Sequence, residues 1–236
     1  MLLEVRDLHI AYGDIQAVNG VSFHLGKGEL VSIIGANGAG KTSILNGIMG
    51  LVSSNQGRIR FRGADITQQP AFRRARSGIR LVPERGRVFP RLTVMENLMT
   101  GVYGLRKHPA LEERLIRIYE YFPILREKQD DVADTLSGGE QQQLSIARAL
   151  ISAPDLLLVD EVSMGLMPKL ADQVYEMLQS LNRDDGLTIL LVEQNAAASL
   201  AVSHRGYVLE TGACVHEGPA ADLMADPRVK EVYLGG

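Results

Sequence analysis

Three observations in this 236-residue chain predict an α/β fold with an antiparallel β part near the N-terminus and an inserted helical lobe. First, Leu30–Ile34 is a continuous apolar run, as a buried parallel strand is, and it enters Gly35-Ala36-Asn37-Gly38-Ala39-Gly40-Lys41-Thr42,. That string is a complete P-loop, G-x-x-x-x-G-K-[ST], whose glycines let backbone N–H groups close around phosphate oxygens. Second, short apolar runs alternate with helical periodicity on both sides of the chain's middle, the arrangement of an α/β core. Third, from Thr93 to about Leu150 the pattern turns helical, with two capping boxes, Thr93-x-x-Glu96 and Ser137-x-x-Glu140, marking helix starts,. The expected organisation is one domain over 1–236: a core from 1–86 and 151–236, interrupted by a helical lobe at 87–150.

The elements follow in order. Leu3, Val5 and Leu8 alternate with Glu4, Arg6 and Asp7 up to a turn at Tyr12-Gly13-Asp14,. Val18, Val21, Phe23 and Leu25 continue in strand style, and residues 58–62, between Gly57 and Gly63, add to the same antiparallel sheet. After the P-loop, Ile44, Leu45, Ile48 and Met49 share one helix face, and Gly50 suits the position that ends a helix,. Ile79–Val82 is a short strand closed by Pro83. In the lobe, Leu98, Leu105, Leu111, Leu115, Ile118, Tyr119 and Phe122 recur among charges. Then come a strand at 156–159, a helix at about 170–181, a strand at 188–192 and a helix at about 196–202. A hairpin of 207–210 and 214–216 turns at Thr211-Gly212, and a short helix starts at about Ala220.

Composition bounds the function. The length supports a large core, and a net charge of −3 with no basic stripe argues against nucleic acid as a partner,. The richest basic stretch, Arg73-Arg74-Ala75-Arg76, reads as a solvated helix face,. A lone cysteine, Cys214, excludes an internal disulfide and agrees with a reducing compartment, its simplest role being a small buried strand residue,. The first residues lack the pattern of a signal peptide, and no stretch approaches eighteen apolar residues,. The expectation is a cytoplasmic protein, held at a membrane only through a partner.

Three short strings carry the chemistry. The P-loop offers Lys41 to the β/γ-phosphates and Thr42 to Mg²⁺, with a helix N-terminus behind both. Leu156-Leu157-Leu158-Val159-Asp160-Glu161 is an apolar strand ending in two carboxylates, Asp160 for Mg²⁺ and Glu161 as a general base toward water,. Leu136-Ser137-Gly138-Gly139-Glu140 opens a helix with a hydroxyl and two residues without side chains. Capping explains the Ser and Glu but not the glycines, each of which costs about 1 kcal/mol in a helix interior. Something must approach closely there.

On these residues the chain resembles, from end to end, the ATP-binding cassette subunits of membrane transporters. The resemblance implies an ATPase in which two cassettes, identical or sister chains, pair head to tail. ATP is then held by Gly35, Ala36, Asn37, Gly38, Ala39, Gly40, Lys41, Thr42 and Ser43 of one chain and by Ser137, Gly138, Gly139 and Glu140 of the other. Tyr12 matches the aromatic that stacks on adenine, although a strand-end tyrosine packed on the core fits it too. Asp160 and Glu161 match the Mg²⁺-associated and catalytic carboxylates, and the partners implied are transmembrane permease subunits on the inner face of the cell membrane.

Four positions depart from the family pattern. Glu84 stands for the usual Mg²⁺- and water-contacting Gln, and an ionised carboxylate accepts but cannot donate. Val162 replaces Pro, Met167 replaces Asp, and the switch histidine is Gln194; none of the five histidines is there. A glutamine orients the attacking water in other P-loop enzymes, so slower hydrolysis is one reading and a subunit that mainly binds ATP is the other. Val82-Pro83-Glu84, Val88-Phe89-Pro90 and Leu191-Val192-Glu193-Gln194-Asn195 resemble the second ATPase subunit of prokaryotic branched-chain amino acid importers. Val88, Phe89 and Leu92 match the region that docks a permease helix, with burial against the lobe as the alternative. Cassette relatives that act on DNA or ribosomes carry a second cassette or a long coiled-coil insertion, and this chain has neither. No residue of such an ATPase need touch the solute, so cargo is not written in its motifs.

Overall fold

Strand β1 (Leu3–Tyr12) buries its apolar residues on one face, and β2 (Ile15–Leu25) returns antiparallel to it through the Gly13-Asp14 turn. The computed structural model describes residues 1–104 and 110–234. Leu105, one of the apolar positions of the helical pattern, lies outside the described residues. β3 (Leu30–Ile34) runs into the P-loop and helix α1 (Lys41–Met49), which ends at Gly50 in the left-handed region with φ 72°. β4 (Gln56–Phe61) and β5 (Ala64–Asp65) complete a sheet of order β2-β1-β4-β5.

Helix α2 (Ala71–Arg76) leads to β6 (Ile79–Val82). Then come α3 (Val94–Thr100), α4 (Leu111–Tyr121), α5 (Pro123–Glu127) and α6 (Gly138–Leu150). Both expected capping boxes are formed: Thr93 with Glu96, and Ser137 with Glu140. β7 (Leu156–Asp160), α7 (Pro168–Asp185), β8 (Thr188–Glu193), α8 (Ala196–Ala201), β9 (Arg205–Glu210), β10 (Ala213–Pro219) and α9 (Ala220–Ala225) complete the larger sheet and its cover. Its order is β10-β9-β3-β8-β7-β6, parallel except for β10.

Every residue of β3, β7 and β8 is buried, because the sheet is covered on both faces,. On one side the antiparallel sheet and α1 close over Ile33, Leu158, Leu190 and Val192; on the other the lobe and α7 close over Val159, Ile189 and Leu191. Register aligns Ile34 with Glu193 and Asp160 with Val192, so three neighbouring strands end at one edge. α7 runs past both ends expected for it, since Pro168 begins the helix and Gly186 stops it with φ 65°,.

The Arg73-Arg74-Ala75-Arg76 segment is not the solvated face its composition suggests. Arg73 and Arg76 are exposed, but Arg74 is buried and donates to the Gly47, Ile48, Gln69 and Thr67 carbonyls at 2.7–2.9 Å. Two of these are carbonyls in the last turn of α1: that of Gly47, which also accepts from the Gly50 N–H at 3.1 Å, and that of Ile48,. Arg74 thereby anchors the far end of the helix whose start forms the phosphate loop. Removing it leaves several buried acceptors unpaired. Arg74→Ala is expected to cost about 3 kcal/mol, lowering the calorimetric melting temperature by about 8 °C. Arg74→Lys, a point donor rather than a fork, should recover less than half of that loss.

Candidate functional site

The P-loop is shaped by what lies against it. A Cβ added to Gly35 would meet the Leu209 carbonyl oxygen at 2.4 Å, and one on Gly40, whose φ is 103°, would meet that of Ala17 at 2.3 Å. No other residue fits either position. Ala36, Asn37 and Gly38 are exposed at the loop's crest, Ala39 is buried beneath it, and Thr42 and Ser43 lie in the first turn of α1. Gly40 caps that helix without a side chain, so its first N–H groups face the loop opening, where an anion binds,. Lys41 is 4% exposed, and its Nζ donates to the Gly35 and Ala36 carbonyls at 2.8 and 3.0 Å.

Lys41 also pairs with Glu161 Oε1 at 3.0 Å. Thr42 Oγ1 donates to Asp160 Oδ1 at 3.0 Å. Burial, first, and then the Glu161 and Glu84 charges raise the Asp160 carboxyl against the Thr42 hydroxyl and Lys41, and the balance stands at about 6. Glu84 opens a 3₁₀ turn, Glu84–Gly86, directly after β6 and its Pro83. Thr42, Asp160 and Glu84 make a set of hard oxygen donors of the kind a small divalent cation takes. Glu161 has φ 43°, in the left-handed region, which costs a side-chain residue of order 1–3 kcal/mol,. Its N–H donates to the Val192 carbonyl at 3.0 Å, which fixes it at the sheet edge.

Gln194 is exposed and lines a cavity of about 280 Å³ with Glu161, Ser163, Met164, Glu193 and Asn195. Tyr12, 46% exposed, pairs with Ile15 where β1 turns into β2, and Ala17, next along β2, abuts Gly40. Tyr12 is thus not wholly packed in the core. Two residues of the region had no role in the sequence reading. Glu193 is 1% exposed and accepts from the Ser163 N–H at 3.2 Å and hydroxyl at 3.1 Å. Burial raises its pKa, with the Ser163 donors opposing, and the Tyr175 hydroxyl lies beside it just outside hydrogen-bonding geometry. The signal was available: an acid closing Leu190-Leu191-Val192 is as conspicuous as Asp160 closing β7.

Residues 137–140 lie apart from this constellation. Among the described residues, no hydrogen bond or ion pair joins them to 35–43. Glu140 is engaged within its own fold, accepting from Ser137 N–H and from Lys128 Nζ at 2.8 and 2.7 Å. The close approach expected at the glycines is partly internal: a Cβ on Gly139 would meet Leu170 of α7 at 2.9 Å. Gly138 is exposed, with nothing within 4 Å of an added Cβ. It remains open to an outside group.

A family model described as ABC transporter matches residues 18–164. The chain is 44% identical to BraG of Pseudomonas aeruginosa, a "High-affinity branched-chain amino acid transport ATP-binding protein", over 95% of this chain and 96% of that protein. It is 35% identical to the "Lipopolysaccharide export system ATP-binding protein LptB" of Escherichia coli K12, covering 99% and 97% of the two. The fold superposes on the solved dimeric structure of MJ0796, a bacterial ABC transporter cassette. That match has a TM-score of 0.82 at 26% identity and covers 93% of this chain and 99% of that one.

The electrostatics of Asp160 make a stability test. Its folded pKa, about 6, lies above the ordinary carboxylate value of 3.8, so folding favours the neutral form,. The stability this brings is present in acid and lost as pH rises through about 6. Asp160→Asn keeps an oxygen for Thr42 and removes the charge. Without nucleotide or metal it should melt about 5 °C higher than the parent near pH 8, the gain shrinking as pH falls from about 6 toward 4. An equal shift at both ends of that range would sink the assignment.

Proposed function

This chain belongs to the ATP-binding cassette transporter family, and on that premise we propose that it is the ATPase subunit driving branched-chain amino acid import through a separate membrane permease. The observation that carries the catalytic reading is the Lys41–Glu161 pair beside Thr42–Asp160, at the shared edge of three buried strands. The N–H groups of the loop and the start of α1 take the β- and γ-phosphates of ATP, and Tyr12 stacks on adenine. Thr42 and Asp160 would hold Mg²⁺, with Glu84 beside them. Mg²⁺, when bound, neutralises phosphate charge and favours an ionised Asp160.

Lys41 links binding to chemistry. Its ammonium pairs with Glu161, and phosphate oxygens compete for the same donors. Once Lys41 turns to phosphate, Glu161 is released to accept a proton from water. Gln194, on the same cavity, orients that water by donating with its amide and accepting with its carbonyl,. Phosphoryl transfer is mostly positioning and charge stabilisation, so each of these groups acts by place rather than by covalent bonding.

The other half of each site comes from a second chain, identical or sister, arranged head to tail. Ser137, Gly138 and Gly139 of that chain present a helix N-terminus, with Glu140 locking the cap. The lobe of residues 87–150 carries this terminus. Phe89 supports permease docking: its ring is 50% exposed, while its backbone exchanges hydrogen bonds with the buried Asn97 side chain at 2.8 and 3.0 Å. An apolar knob on a fixed backbone suits a helix laid in a groove. Through this contact the subunit sits on the inner face of the membrane; no helix among the described residues is long and apolar enough to cross it. Cargo is assigned by similarity to BraG, and the comparable identity to LptB fits a frame whose cargo is chosen by the permease.

Three measurements test the reading. In the complex reconstituted with its permease, ATP turnover should rise more than about tenfold over the isolated chain, because only assembly brings a signature helix to the phosphates. Turnover should respond to leucine, isoleucine or valine and not to unrelated solutes. Glu161→Gln should still bind ATP but stop hydrolysis, leaving an ATP-bound dimer visible by sizing chromatography; a fully active monomer would dismiss Glu161 as the base. Beside a sister chain that keeps the switch histidine, Gln194→Ala should slow turnover less than the histidine change does. An equal or larger loss would rule out that asymmetry.

A further inference from the structure

The residues that follow Glu161 are fastened at two points to the end of β8. The Glu161 N–H donates to the Val192 carbonyl, and two residues on, the Ser163 N–H and hydroxyl both donate to the Glu193 carboxylate. Glu193 aligns across the sheet with Ile34, the residue before the P-loop, so the carboxylate is referenced to the phosphate site through β3. It is also the residue before Gln194. A buried carboxylate is costly to keep, and here burial raises its pKa against the pull of two Ser163 donors,. An apolar residue would suit the site's packing better, so a purely space-filling role does not account for it.

The backbone at Glu161 supplies the need. A glutamate in the left-handed region persists only where its surroundings over-determine it,. Asp160 is fixed in the sheet on one side of Glu161. On the other side, Val162 is buried and Ser163 is held from both its backbone and its side chain by Glu193. We propose that Glu193 is a positioning residue for ATP hydrolysis, clamping Ser163 so that Glu161 keeps its left-handed backbone and its carboxylate stays aimed at the attacking water. The same carboxylate ties the turn carrying Glu161 to the strand end carrying Gln194, so base and water-orienting amide move together. Both oxygens of the Glu193 carboxylate are engaged by Ser163, so its part is to hold the turn rather than to react.

This inference rests on Glu161 being the base, so Glu161→Gln is the control in the same preparation. The test uses the full chain assembled with its permease and partner ATPase, measuring kcat and KM for ATP together with ATP binding. Glu193→Ala is expected to lower kcat at least about twentyfold while KM and ATP affinity stay within about twofold, because the clamp acts on water attack and not on the phosphates. Glu193→Gln, which keeps an acceptor and the volume, should recover most of the rate. Ser163→Ala should slow hydrolysis in the same direction by a smaller factor, and it remains informative if Glu193→Ala does not fold. The Glu193→Ala/Ser163→Ala double variant should be no slower than Glu193→Ala alone, since the two act as one unit. Losses that multiply, a kcat within about twofold of the parent, or affinity and kcat falling together would overturn the clamp. Hydrolysis surviving Glu161→Gln while falling in Glu193→Ala would instead reject the base assignment.

Discussion

β3, β7 and β8 are buried on both faces, and this burial is the constraint on which the rest of the molecule depends. Nothing charged can sit along the middle of these strands, so their charged residues, Asp160 and Glu193, stand where the strands end,. The parallel register brings those ends to one edge, with the phosphate loop after β3, Asp160 and Glu161 at the end of β7, and Glu193 and Gln194 at the end of β8. Open parallel sheets place ligands at this edge for the same reason. The catalytic geometry is a by-product of how three apolar segments must be covered.

That convergence leaves the site acidic. Lys41 pairs with one carboxylate, Glu161, while Asp160, Glu84 and Glu193 stand close by. Asp160 answers by favouring its proton, and Glu193 by drawing two donors from Ser163. Such a site gains from a cation and from anionic phosphate together, each relieving the charge the other brings. Glu84, whose charge raises the Asp160 pKa, adds to that acidity.

The signature helix is fixed independently of this edge. Its cap is closed by Glu140 and Lys128, Gly139 rests on Leu170, and further along, at Gln142, the helix presses on Gly86 in the turn that begins with Glu84. The segment that carries the exposed Phe89 follows that turn directly, with Arg148 of the same helix lying over the ring at 5.3 Å. The Phe89 segment, the Glu84 turn and the signature helix are therefore one packed unit. Phe89 is thereby coupled by packing both to the turn that carries Glu84 and to the helix that begins at Gly138.

Much of this was legible in the residues. The P-loop, the two capping boxes, the strand ending in Asp160-Glu161 and the alternation of the first sheet each depend on short-range chemistry: the backbone freedom of glycine, a capping hydroxyl, periodicity. The limits of α7 were less legible, because Pro168 and Gly186 set them where apolar spacing did not. Arg74 read as solvated, since three arginines in four residues look alike in sequence and only the packing of α2 against α1 turns one of them inward. Glu193 went unassigned because its partner, Ser163, lies thirty residues away and has no motif of its own. By itself the sequence determined the fold family and the class of nucleotide chemistry, both of which rest on local patterns. Only the tertiary structure decided which carboxylate pairs with Lys41, how Glu161 is held, and that the signature stands apart from the chain's own P-loop. Those facts depend on strand register and long-range packing, which no local pattern encodes.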